Sequence, residues 1–137
     1  MAFVDETIDV LADVRVVYSL WVAYEGYPNF MSAVERVSFV GHDRLHWVAD
    51  VAGAVDEWDA RLCAHVEGTL IKWEALDGRE TGEVTLGKVD AGTTRVHYQL
   101  QFDPDRWGAD PAAVCELMDV RVRDDLRAFK EIAEALT

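Results

Sequence analysis

Apolar and polar residues alternate along residues 3 to 11, FVDETIDVL, and that period of two predicts a first strand. The period then lengthens. Asp13 suits a helix N-cap, and Val14, Val17, Tyr18 and Trp21 recur at helical spacing, so a helix should run to about Ala23. Pro28 forbids a continuous helix through the next stretch but fits the first position of a second short one. From about residue 34 the period returns to two. The segments VERVSFVG, RLHWVADVAG, VDEWDARLCAHVEG, LIKWEALDG, GEVTLGKVDAG and TTRVHYQLQFDP read as successive strands. The breaks between them, GHD, AGA, EGT, DGRETG and DAGT, carry the Gly and Asp of tight turns, and such short connections make the sheet antiparallel. After Asp110 as N-cap and Pro111 at the first helical position, a long helix follows. Its apolar stripe is Val114, Met118, Val122, Leu126, Phe129, Ala133 and Leu136.

One long helix and a seven-stranded antiparallel sheet can bury each other, which predicts a single α+β domain over residues 1–137, with two short helices after the first strand. A sheet of that size coils around the helix, and the space it encloses is a place for a ligand cavity. Alternation assigns the inner face: Leu45, Trp47, Ala49 and Val51; then Trp58, Ala60, Leu62 and Ala64; then Ile71, Trp73 and Ala75; then Val96, Tyr98, Leu100 and Phe102. Any one of these rings is equally well plain core. Together, large rings interleaved with alanines predict a lined pocket with room between the rings.

The dense stretch SLWVAYEGYPNFM divides into two parts. Tyr18 and Trp21 belong to the helix's apolar face, whereas Tyr27, Phe30 and Met31 stand at the corner where the chain enters the sheet. The predicted pocket is therefore Trp47, Trp58, Trp73 and Tyr98 from the sheet, Met118 and Val122 from the long helix, and Tyr27, Phe30 and Met31 at the rim. Tyr98 and Arg121 are the candidate catalytic residues, since a phenol and a guanidinium beside an apolar pocket can polarise a ketone or stabilise an enolate.

Charge and composition narrow the partners. The 26 acidic and 13 basic residues give a net charge of −13, spread along the chain, which argues against nucleic acid and anionic membranes. No run approaches the roughly 18 apolar residues of a membrane helix, and the start has no signal-peptide pattern. Cys63 and Cys115 lack metal-type spacing and are expected as reduced core residues of a cytoplasmic protein. His46, His65 and His97 fall on the outer face and His42 in a turn, so neither a metal nor a cofactor is expected. Ser19 and Ser38 stand in no nucleophile-elbow context.

The runs WVAYEGYPNFMSAVERV, DRLHWVADVAGAVDEWDARL, IKWEALDG, TTRV and DLRAFKE resemble the polyketide cyclase/dehydrase branch of the START-like superfamily, in order and over nearly the whole chain. Such proteins often carry a proline before the first helix, where this chain has Asp13. The resemblance implies a helix-grip fold and a hydrophobic small-molecule ligand. It implies either aldol cyclisation and dehydration of a polyketide-like chain or non-catalytic carriage of a lipid, quinone or polyketide product. No catalytic residue is carried over by it. A third reading, a protein-interaction module, relies on the acidic surface and on exposed aromatics near residues 24 to 30. Substrate identity and oligomeric state are not legible in the sequence.

Overall fold

A computed structural model describes residues 1–137. β1 (Ala2–Val10) leads into α1 (Val14–Val22) and a six-residue 3-10 helix (Tyr24–Asn29). Then come β2 (Val34–Phe39), β3 (Arg44–Val51), β4 (Ala54–Val66), β5 (Leu70–Ala75), β6 (Glu80–Asp90) and β7 (Thr93–Phe102), followed by α2 (Pro111–Ala135). All seven strands form one antiparallel sheet ordered β1-β7-β6-β5-β4-β3-β2. The α+β helix-grip architecture read from the sequence is the one observed.

Local chemistry explains the boundaries. Asp13 caps α1 by accepting a 2.8 Å hydrogen bond from the Arg15 amide. Asp110 occupies the N-cap position of α2, but its side chain makes no capping bond, and Pro111 alone sets the first helical φ. The 3-10 helix contains Pro28, and its corner is fastened by the Tyr27 hydroxyl, which donates to the Trp21 carbonyl at 2.6 Å. Register shifts between Val34 and Arg36, Leu62 and Ala64, and Lys88 and Asp90 mark bulges that bend the sheet.

The concave face and α2 enclose one hydrophobic core that includes Trp21, Phe30, Trp73, Phe102 and Phe129. Gly82 is paired with Trp73, and a Cβ there would run into the Trp73 indole, so the glycine gives the ring its place.

The structure alters several sequence readings. β6 begins at Glu80, inside the stretch read as the turn DGRETG. The α2 stripe stops at Ala133, because Leu136 lies beyond the helix and is exposed. Cys63 is exposed and Cys115 half-buried, since the bulge after Leu62 and the edge of the helix stripe keep them out of the core. Tyr24, Tyr27 and Phe30 are buried, which removes the exposed aromatics that the interaction-module reading required.

Candidate functional site

Between the sheet and α2 lies a cavity of about 60 Å³, with a satellite of about 10 Å³ toward the α1 corner. Strand alternation brings Trp47, Trp58, Trp73 and Tyr98 into the wall of the larger space, and α2 adds Met118, Arg121 and Val122. Met31 borders both spaces, and Phe30 borders the smaller one. Tyr27 stands apart: it is fully buried behind the wall, its ring 5.6 Å from Trp47 and its hydroxyl committed to Trp21.

The room expected between the rings is largely taken by the rings themselves. Trp47 stacks on Trp58 at 6.0 Å and on Trp73 at 5.6 Å between centroids. Typical ligand sites measure roughly 300–1,000 Å³. A ligand larger than a few atoms must therefore displace α2 or turn the indoles.

The polar groups on this apolar wall are few. Arg121 donates from Nη1 to the Asp50 carbonyl at 2.8 Å, which holds its charge against the β3 end of the cavity. Burial drives the Tyr98 phenol well above its ordinary pKa, with the Glu80 and Asp125 charges adding to the effect, so it is a neutral O–H. Asp125 accepts from the Ser32 amide at 3.1 Å and from its hydroxyl at 3.3 Å, and burial raises its pKa despite those bonds.

Sequence reasoning did not find the residues at the opposite end. Glu80, at the start of β6, lines the cavity and is the only carboxyl among the buried residues. Burial pushes its pKa up to about 7 against the pull of the nearby Arg106 guanidinium, and Asp77 and Asp56 push further upward. The Trp58 indole N–H lies near enough to favour the carboxylate slightly, yet closes no well-aligned hydrogen bond. Arg106, in the β7–α2 loop, has a side chain only 4% exposed. Its Nε lies 2.6 Å from Asp56 Oδ2 and its Nη2 3.5 Å from Asp77 Oδ2. Its guanidinium rests 4.5 Å over the Trp58 ring. Trp107 beside it closes that end of the cavity. The placement of Trp107 at the cavity has no signal in the sequence, because DPDRWGAD has no periodicity.

The outer face carries the expected charge pairs. His46 bonds Asp59, its direct cross-strand neighbour, at 2.7 Å and Glu57 at 2.9 Å, and those hydrogen bonds raise its pKa. His97 pairs diagonally with Asp5.

Comparison with known proteins places this geometry. A family profile described as "Polyketide cyclase / dehydrase and lipid transport" matches residues 10–131. An uncharacterized 17.2 kDa protein from the melC2-rnhH intergenic region of Streptomyces lincolnensis is 30% identical over 136 residues, covering 98% of this chain and 91% of that protein. Among solved structures, a START superfamily protein from Mycobacterium smegmatis superposes with a TM-score of 0.85 at 14% identity, over 98% of this chain and 99% of the other. The Zhui aromatase/cyclase from Streptomyces sp. R1128 does so with a TM-score of 0.76 at 22% identity, over 97% and 93%. At those identities the two structures speak for the fold.

Proposed function

The chain belongs to the polyketide cyclase/dehydrase and lipid transport family of the START-like superfamily, and on that footing we propose that it binds a hydrophobic small molecule between its curved sheet and α2. The observation that carries this reading is the cavity wall: four tryptophans, a tyrosine and a methionine-bearing helix around one space, with 13 of its 16 lining residues hydrophobic. Such a wall favours flat, apolar ligands, which exchange water for ring faces. No helix of the chain is long and apolar enough to cross a membrane.

A second reading has the bound molecule react, by aldol closure and loss of water in a polyketide-like chain. It is favoured by Tyr98, whose neutral hydroxyl borders the cavity without a hydrogen bond to protein, and by Arg121, which faces the same space. Folding the chain against itself and excluding solvent would supply much of the acceleration. Tyr98 would then donate to the carbonyl oxygen under attack, and Arg121 would steady the developing negative charge.

Native mass spectrometry of freshly purified protein, followed by organic extraction, tests the binding reading. A hydrophobic adduct is expected on the wild type, with at least tenfold lower occupancy in Met118→Trp, which fills the cavity. An adduct that persists unchanged in that variant overturns the site. The reactive reading requires Tyr98→Phe and Arg121→Ala to alter product distribution or rate while leaving the adduct in place.

A further inference from the structure

Buried polar groups almost always find partners, and those that do not mark places where something is missing. The indole nitrogens of Trp47, Trp58 and Trp107 are buried without an acceptor, and all three residues stand in the wall of the larger cavity. Beside them is Glu80, buried, cavity-lining and without an ion pair. A glutamate serving only to neutralise Arg106 would close that pair. Here Asp56 and Asp77 hold the guanidinium instead, leaving Glu80 as a third carboxyl for one positive charge. In its neutral form such a group is a hydrogen-bond donor. The β7–α2 end of the cavity then presents donors from the acid and the indoles, and an apolar ligand with no oxygen would leave them all unpaired.

We propose that Glu80, framed by Trp58 and Trp107, is a specificity-determining residue that donates a hydrogen bond to a carbonyl oxygen at the polar end of the bound molecule, selecting ketones over hydrocarbons of the same shape. The inference rests on the binding reading above and adds the orientation of the ligand: oxygen toward the β7–α2 loop, apolar body toward Met31 and the α1 corner. A site built to bond an oxygen discriminates strongly against the analogue lacking it, more than an apolar wall discriminates a methylene.

The donor is switched by pH. The groups facing Glu80 are Arg106 and Asp77 from the flanking loops, Asp56 from β4 and Tyr98 from β7. With its pKa near 7, Glu80 is mostly neutral at pH 6 and mostly ionised at pH 8. Ketone affinity should therefore fall about tenfold across that interval, as the neutral fraction falls.

Acetophenone and ethylbenzene, which differ by a carbonyl in place of a methylene, are the probes. They are titrated into the full chain at pH 6 and pH 8 by calorimetry, with ¹H–¹⁵N spectra of the indole N–H groups. At pH 6 acetophenone should bind at least tenfold tighter than ethylbenzene, moving the Trp58 and Trp107 indole resonances, and most of that advantage should vanish at pH 8. Glu80→Gln keeps a donor and should hold the preference at both pH values. Glu80→Leu should abolish it while ethylbenzene still binds. Equal binding of the two probes, or a pH dependence retained in Glu80→Gln, overturns the inference and leaves the binding reading standing. Failure of both probes to bind, in a wild type that is folded, overturns both.

Discussion

Glu80 costs the fold something, and the sign of that cost can be worked out. Its carboxyl titrates at about 7 in the native state against an ordinary value of 4.5. Between those values the unfolded chain has released a proton that the native state still holds, so native stability falls as pH rises. The contribution is complete below the unfolded value and is lost through pH 7. Integrated from pH 4 to 8, the loss is about 3 kcal/mol. Glu80→Gln lacks that slope. Urea melts of both proteins across the interval should show the variant gaining on the wild type as pH rises, and parallel curves would mean that Glu80 is hydrated or paired in solution. The residue was hidden in the sequence for a physical reason: Asp77, Gly78, Thr81 and Gly82 are turn-type residues, yet cross-strand pairing of Glu80 with Phe102 holds the segment in β6. Trp47, Trp58, Trp73 and Tyr98 were legible because a period of two leaves each ring one face to occupy.

At the scale of elements, the hairpin joining β3 and β4 carries a local strain. Ala52 and Gly53 both adopt positive φ, 53° and 82°, in a two-residue turn. Gly takes that conformation freely, whereas an alanine Cβ crowds the carbonyl there, at a cost of roughly 1–2 kcal/mol. Asn tolerates the left-handed region and, followed by Gly, is the favoured pair for such turns. Ala52→Asn should therefore raise stability by about 0.5–1 kcal/mol in thermal or urea melts without touching the cavity. An unchanged or lower stability would show that the turn has relaxed to another geometry. The helices were legible through their stripes and caps, and the strands through their alternation. The turn's strain was not, since AGA announces a break but not which of its residues turns left-handed. Gly82 escaped notice similarly, because its role is to accommodate an indole on the neighbouring strand.

At the scale of the whole molecule, the two halves of α2 have different tasks. Its C-terminal half is bound into the core: Phe129 stacks on Trp21 at 4.7 Å and meets Phe30 edge-on at 5.1 Å. Lys130 donates to the Asp9 carbonyl at 2.8 Å, and Glu134 accepts from the Leu11 amide at 2.9 Å, fastening this half to the end of β1. The N-terminal half spans the cavity through Met118, Arg121 and Val122, and its polar tie across that space is the Arg121 bond to Asp50. A space of about 60 Å³ cannot take a polyketide-sized molecule as it stands, and the half of the helix with fewer fastenings is where enlargement costs least. Hydrogen exchange should accordingly run faster in residues 111–122 than in 123–133, and a bound hydrophobic ligand should slow it in the first segment and in the β7–α2 loop. Phe129→Ala should lose about 3–5 kcal/mol and bring the second segment's exchange up to that of the first. Uniform protection along α2, unchanged by ligand, would place the entrance elsewhere, at the Met31 corner between the 3-10 helix and β2.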